Sequence, residues 1–334
     1  MGSDSLGKDA HDQHEALNPD VADAQDLAHE LAPVLRQTCS GCLGPISWFR
    51  STWQHGGAAT GYADWTNATG QTQQVVVKLP VGFTEYFWTT RLSQGDTQGS
   101  TPRVIASGDA LGHYDLAWLV IERIAGKTLG SDLASERVMA LLHAAADLHR
   151  RAACVRQVSD RDTPSPPNWG QIIGKAREAV VDNHIPHEQR WTDALKRVGR
   201  HVESLVAQWR MRTIDTWCHG DLHPGNAIVD GQDRLVLIDL GLVHAGHWVE
   251  DAVYLERQYW GHADFLHGVK PVSAMARIRR TLGLELGEDY SRVADLRRLL
   301  MAACVPAFLG REGTPAYVEA ALGIVERLSA SLLR

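Results

Sequence analysis

Eight residues, His219-Gly220-Asp221-Leu222-His223-Pro224-Gly225-Asn226, followed by an apolar run that ends in Asp239, constrain this chain more than any other feature. Ala227-Ile228-Val229 and Leu235-Val236-Leu237-Ile238 are joined by a polar stretch containing Asp230-Gly231. Asp-Gly between two apolar runs is a hairpin signal. Folding the runs back pairs residue 229 with about 234, and 226 with about 237. Asn226 and Asp239 then leave the same end of one hairpin. Asp221 lies a few residues before that end, on a loop fixed by Pro224 and Gly225. Three oxygen-bearing side chains therefore converge by local geometry. Such oxygens suit a hard cation like Mg²⁺, which takes few protein ligands and completes its shell with phosphate and water. A free carboxylate nearby orients a hydroxyl and accepts its proton. A metal on the phosphates and a base on the nucleophile are the equipment of phosphoryl transfer.

The rest of the chain divides by hydrophobic period. Residues 1–20 are polar and acidic, which predicts a disordered tail. Leu27, Leu31, Val34 and Leu35 recur at helical spacing and predict a short helix over 21–37. Strands are predicted over 47–53, 62–67, 73–79, 104–107 and 117–123, with a helix over 83–92 after the third. The β-branched run Val75-Val76-Val77 is the clearest strand signal. Beyond Gly126 the pattern turns helical. Val138, Leu141, Leu142, Ala145 and Leu148 make one apolar stripe. Further helices are predicted over 171–182, 187–211 and much of 248–334, with the run 299–309 as a buried core helix.

His-x-Asp-x-x-x-x-Asn followed by a strand-borne Asp resembles the catalytic and metal-binding loops of the protein-kinase-like superfamily. The wording His-Gly-Asp-Leu-His-Pro-Gly-Asn, then Ile-Asp, is similar to the aminoglycoside phosphotransferase and choline kinase family. That resemblance implies an α+β, bilobal fold with a small antiparallel-sheet N-lobe and a larger helical C-lobe. It puts a nucleotide-binding lobe at 21–125 and a catalytic and substrate-binding lobe at 126–334, with ATP in the cleft. It implies Asp221 as catalytic base, Asn226 and Asp239 as ligands of Mg²⁺, and His219 and Asp251 as structural supports of the loop. Lys78, ending the Val75–Val77 strand, matches the lysine that grips ATP phosphates, and Glu85 its partner on the next helix. Gly56 and Gly57 match a phosphate-covering loop, and Ile121 and Glu122 fall in the adenine-contacting hinge. The implied reaction moves the γ-phosphate of ATP to a hydroxyl of a small molecule: an aminoglycoside, a choline-like compound or another amino alcohol or sugar. Two other readings stay open, an atypical protein kinase and a non-catalytic kinase-like binding module. Only eleven residues separate Asp239 from Asp251, which leaves no room for a long activation segment.

Composition excludes other classes. The net charge is −7, and residues 1–30 carry eight acids against one base, so the remainder is neutral. No basic footprint for nucleic acid is present. No apolar run reaches the length of a membrane helix, and the N-terminus lacks a signal pattern, so the expected location is cytoplasmic. Cys39 and Cys42 have C-x-x-C spacing without a second pair, which reads as coincidence. Trp248, Tyr254, Tyr259 and Trp260 follow the metal-binding Asp, where the family builds its substrate pocket. They read either as an aromatic cage for a quaternary ammonium or as helix packing. Glu250, Glu256 and Asp264 are the carboxylates available to an aminoglycoside.

Overall fold

The β-branched run Val75–Val77 sits in the middle of a sheet, as strand propensity requires. The computed structural model describes residues 19–49, 58–94, 99–131, 133–165, 167–287, 289–308 and 313–333. Residues 1–18, Gly56, Gly57 and the end of the first predicted strand at 50–53 lie outside the described residues. The chain forms two compact units. One contains residues up to Thr90 together with Arg103–Arg123, and the other Arg91–Pro102 and Ile124–Arg334.

In the smaller unit, α1 (Pro19–Thr38) is followed by β1 (Ser47–Phe49), β2 (Ala59–Thr66), β3 (Thr72–Val81), α2 (Phe83–Ser93), β4 (Val104–Gly108) and β5 (Ala117–Glu122). The strands form one antiparallel sheet in the order β1-β2-β3-β5-β4. Side chains alternate along β3 because successive Cβ atoms point to opposite faces. Val75, Val77 and Leu79 are fully buried on the face that packs on Ala28, Leu31 and Leu35 of α1. Val76 belongs to the opposite face, with Ile121 and with Tyr86 of α2. Cys39 is a free thiol within the α1 core, where burial first and Cys42 second push its pKa up to about 11. It is therefore an inert packing group.

The larger unit contains β6 (Gly126–Thr128), α3 (Ser135–Val155), α4 (Trp169–Asp182), α5 (Glu188–Arg210), β7 (Thr216–Cys218), β8 (Ala227–Asp230), β9 (Leu235–Leu237) and β10 (His244–Gly246). It ends with α6 (Val249–Arg257), α7 (Pro271–Thr281), α8 (Tyr290–Cys304) and α9 (Pro315–Leu332). The five stripe residues of α3 are all buried. The run is buried core from 299 only as far as Pro306: its α-helix stops at Cys304, a 3-10 turn carries it through Pro306 to an exposed Phe308, and Leu309 lies outside the described residues. Among the described residues, no helix is long and apolar enough to cross a membrane.

The expected hairpin forms with its register moved by one. Val229 pairs with Leu235 and Ala227 with Leu237. The turn uses three residues, Gly231, Gln232 and Asp233, with Asp233 left-handed at φ 65°. The Asp230 carboxylate accepts from the amides of Gln232 and Arg234 and closes this turn. A type I turn followed by a left-handed residue is the common three-residue hairpin solution. Two additions are non-local: β6 pairs with β8, and β7 with β10.

Leu35→Ala is expected to cost about 2–5 kcal/mol, because it empties a fully buried site between α1 and the sheet. Urea unfolding measures it, and a loss well under 1 kcal/mol would mean that α1 is not part of that core.

Candidate active site

The loop after β7 must reverse sharply, and Gly220 makes this possible. Its φ is +83°, and a Cβ there would lie 2.1 Å from the Leu242 carbonyl oxygen. Only glycine fits. At Gly220 and the residue before it the loop is tied to α6. Asp251, with no exposed surface, accepts from the His219 amide at 2.8 Å and the Gly220 amide at 2.9 Å. Its Oδ2 also meets His149 Nε2 of α3 at 2.9 Å. The other ring nitrogen of His149 faces Arg279 Nη1 of α7 at 3.1 Å, so it accepts, and Nε2 carries the proton to Asp251. Burial holds His149 neutral by lowering its pKa. Burial alone would raise Asp251, but the His149 hydrogen bond and the loop amides outweigh it and the carboxyl stays low.

His219 is also fully buried. Its Nδ1 accepts from the Asp221 amide, and its Nε2 lies 3.1 Å from the Ile238 carbonyl oxygen, so the ring ties the loop to the end of the hairpin. The Ile238 amide in turn donates to the Asn226 carbonyl at 2.9 Å. Asn226 and the residue before Asp239 are thus directly opposite one another. Asp239 itself is left-handed, at φ 63° and ψ 67°, and exposed. Asp is among the few residues that tolerate this conformation.

Asp221 receives three donors. Tyr254 Oη donates to Oδ1 at 2.5 Å, Asn226 Nδ2 to Oδ2 at 2.8 Å, and His223 Nε2 stands 3.5 Å from Oδ2. The His223 Nδ1 accepts from the Gly225 amide, which leaves the proton on Nε2. Burial would raise the Asp221 pKa, but the hydrogen bonds of His223 and Tyr254 outweigh it and bring it to about 2. The Asn226 amine is spent on Asp221, so its amide oxygen is the atom left for a cation.

The expected aromatic group is split. Tyr254 and Trp260 line one pocket, together with His223. Trp248 is 1% exposed and packs on His247, Tyr290 and Arg279, with Nε1 donating to Leu286. Tyr259 tilts against Phe265. Trp248 is therefore a packing residue rather than part of a cage. Glu250 is also unavailable, being buried against Arg212 Nε at 3.0 Å and accepting from the His247 amide. Glu256 is engaged by both Arg298 Nε and Nη2.

In the smaller unit, Lys78 forms an ion pair with Glu85 of α2. Ile121 is buried in the sheet, and the Glu122 carboxylate accepts from the Arg103 amide. The Glu122 and Arg123 amides donate to Arg103 and Gln74 carbonyls, so these main-chain donors are occupied by the ladder.

His149, Arg279, and the contacts of His223 and Tyr254 with Asp221 were not anticipated from sequence. One signal existed for His149. It stands seven residues after Leu142 on the buried stripe of α3, and a histidine there needs a polar partner.

The profile of the phosphotransferase enzyme family matches residues 84–296. No curated protein matches the chain. Among solved structures, it is similar to a putative aminoglycoside phosphotransferase from Ralstonia eutropha JMP134, at 12% identity and TM-score 0.55, over 90% of this chain and 98% of that one. An amicoumacin kinase in complex with AMP-PNP, Ca²⁺ and Ami aligns at 15% identity and TM-score 0.55, over 92% and 96%. A choline kinase from Cryptosporidium parvum Iowa II aligns at 11% identity and TM-score 0.54, over 92% and 95%. The shared property at these identities is the α+β fold, a five-stranded antiparallel sheet followed by a mostly helical part.

Two groups tie stability to pH. Burial lowers His247 from 6.5 to about 4, so it is neutral when folded, and stability falls as pH drops from the first value toward the second. Burial would raise Glu250, but His244, Arg297 and Arg212 bring it from 4.5 to about 2. Its contribution is complete above pH 4.5 and is lost as pH falls through about 2. Glu250→Gln is expected to lower stability at pH 7 and to flatten the acid limb, by on the order of 3 kcal/mol across that window. Thermal melts at several pH values measure this, and an unchanged acid limb would remove Glu250 from the account.

Proposed function

The chain belongs to the phosphotransferase enzyme family, and from that membership we propose that it is an ATP-dependent small-molecule kinase using Mg²⁺. The observation that carries this reading is the set of donors on Asp221, next to the Asn226–Ile238 pairing. Asp221 is ionised at neutral pH and, with a pKa of about 2, is a weak base. Its task is to accept a hydrogen bond from the acceptor hydroxyl and aim its oxygen at the γ-phosphorus. The proton passes to Asp221 as the new P–O bond forms, and ADP departs. A loose phosphoryl-transfer transition state asks for little early proton removal, which suits a weak base.

Tyr254, Asn226 and His223 hold the carboxylate in one orientation, so the acceptor meets a pre-aligned group. The Asn226 amide oxygen and the Asp239 carboxylate fit Mg²⁺, because both are hard oxygen donors and the amine that would compete is already bonded. When bound there, Mg²⁺ would neutralise charge on the nucleotide phosphates. Lys78, oriented by Glu85, is assigned to the phosphates as well. Gly56 and Gly57 keep their proposed role over the phosphates, and Ile121 and Glu122 theirs beside the adenine, with Ile121 offering an apolar surface.

A small-molecule acceptor is favoured over a protein by the chain between Asp239 and Asp251. It is taken up by a 3-10 turn, by β10 and by the start of α6, and β10 is paired to β7. That leaves no segment to carry a protein substrate.

ADP release with Mg·ATP over a panel of hydroxyl acceptors tests the reaction. The panel includes aminoglycosides, choline, ethanolamine, homoserine and sugar amines. Asp221→Asn is expected to fold normally and to lose about 10²–10⁴-fold in turnover. Full turnover in that variant would sink the role of Asp221. Asp239→Ala is expected to abolish Mg²⁺-dependent nucleotide binding in calorimetric titration, and unaltered binding would remove Asp239 from the metal site.

A further inference from the structure

The turn that carries Asp239 is short of regular structure. It is a 3-10 turn of three residues, Leu240–Leu242, and the strand after it, β10, has only three more. One side chain closes back on this turn. His244, the first residue of β10, sets Nδ1 2.9 Å from the Leu242 carbonyl oxygen and Nε2 3.6 Å from Glu250 Oε2 of α6. The ring also reaches the loop that carries Asp221. A Cβ on Gly220 would lie 2.1 Å from the Leu242 carbonyl oxygen and 3.0 Å from His244 Nδ1. The carbonyl that His244 holds is thus the one that Gly220 packs on. Leu242 comes shortly after Asp239 in the chain, and Gly220 immediately precedes Asp221. One ring therefore joins the Asp239 turn, the Asp221 loop and α6.

Both partners of this ring are acceptors only. A carbonyl oxygen has no proton to give, and Glu250, with a pKa of about 2, is ionised. Neutral imidazole has a single N–H, so either tautomer would turn a nitrogen lone pair toward an oxygen. The imidazolium has two N–H groups and satisfies both. Glu250 Oε1 is taken by Arg212 Nε and the His247 amide. That leaves Oε2 to His244 and, at 3.9 Å, to Arg297 of α8. Cys218, opposite His244 on β7, adds no charge, because burial pushes its thiol well up. Burial pulls the His244 pKa down, but Glu250, the Leu242 carbonyl and the charge of Asp251 outweigh it and leave it raised above 6.5.

We propose that His244, as an imidazolium, is a positioning residue of the Mg²⁺ site: it clasps the Asp239 turn to the Asp221 loop and to α6, and its deprotonation loosens the turn and weakens metal-dependent nucleotide binding. The inference rests on the function proposed above. A group whose folded pKa is raised binds its proton more tightly in the folded chain. The clasp is therefore complete below pH 6.5 and is lost as pH rises through the folded value. Glu250 and His247 act on the acid side, so the two limbs are separate.

Two readouts on the full, isotope-labelled chain test it from about pH 6 to about pH 9. Imidazole proton–nitrogen NMR spectra report the protonation of His244, assigned by the signal missing from His244→Gln, and the Gly220 amide reports the loop. Calorimetric titration of ADP, with and without Mg²⁺, reports the site. His244 is expected to keep its proton past pH 6.5, and the Gly220 amide to shift with the same midpoint. Mg²⁺-dependent affinity is expected to fall about tenfold across that midpoint, and affinity without Mg²⁺ not to follow it. His244→Gln keeps an N–H donor but no charge. It is expected to bind Mg²⁺ and ADP about tenfold more weakly than the unaltered chain at about pH 6.5, and equally at the alkaline end. The titration of ADP itself is common to both proteins, so their difference isolates the ring. Thermal melts confirm that the variant folds, and if it does not, the unaltered chain carries the test. A His244 that titrates below 6.5, a Gly220 amide that ignores it, or a metal-dependent affinity unchanged by it overturns the proposal. Metal-dependent binding without that dependence keeps the kinase and overturns the clasp. No ADP binding at any pH sinks the kinase reading instead, and the spectra then decide whether His244 holds the loop.

Discussion

A carboxylate with no access to water must be matched by donors, and Asp251 is matched by three. Two are consecutive amides of the loop that carries Asp221, and the third is a histidine from α3. A side chain of α6 thereby fixes the course of a loop that begins on β7. Arg279 of α7 closes the chain behind His149 and supplies the positive charge. Three helices and one strand meet at this one ion. An unpaired buried charge costs several kcal/mol, so each partner is held in place by the need of the others.

The same logic appears one layer out. Glu250, next to Asp251, collects Arg212, His244 and Arg297 and caps the turn that starts α6. Adjacent residues on one helix thus face two separate networks. One shapes the loop, and the other anchors the helix that does the shaping. Asp221 differs from both. It is only part-buried, and two of its donors, His223 and Tyr254, also line an open pocket. Asp251 and Glu250 are sealed in, whereas Asp221, which also has three donors, is left partly accessible.

Local pattern accounts for most of what was legible in the sequence. The β-branched run, the α3 stripe and the hairpin were visible because each expresses a short-range period. The hairpin register missed by one because Asp233 adopts a left-handed conformation, and the Asp-Gly signal does not report turn length. The pairing of β6 with β8 was hidden because the partners are about a hundred residues apart. At the site, spacing pointed to Asp221, Asn226 and Asp239, whose approach is set by one hairpin. Their supports were invisible for the opposite reason. His149 is 102 residues from Asp251, and Arg279 is 130 from His149. The aromatic cluster shows the limit of proximity in sequence: Trp248 and Trp260 lie twelve residues apart, yet one is core and the other lines the pocket.

The three donors on Asp221 have one more effect. A carboxylate offers about four lone-pair directions. Tyr254 occupies one on Oδ1, and Asn226 and His223 approach Oδ2. A single direction, on Oδ1, is left for an incoming hydroxyl. Under the proposed function, only the hydroxyl presented along that line would be aligned for transfer on an acceptor with several. The support of the carboxylate would then also be a source of regioselectivity, exercised before any contact with the rest of the acceptor is counted.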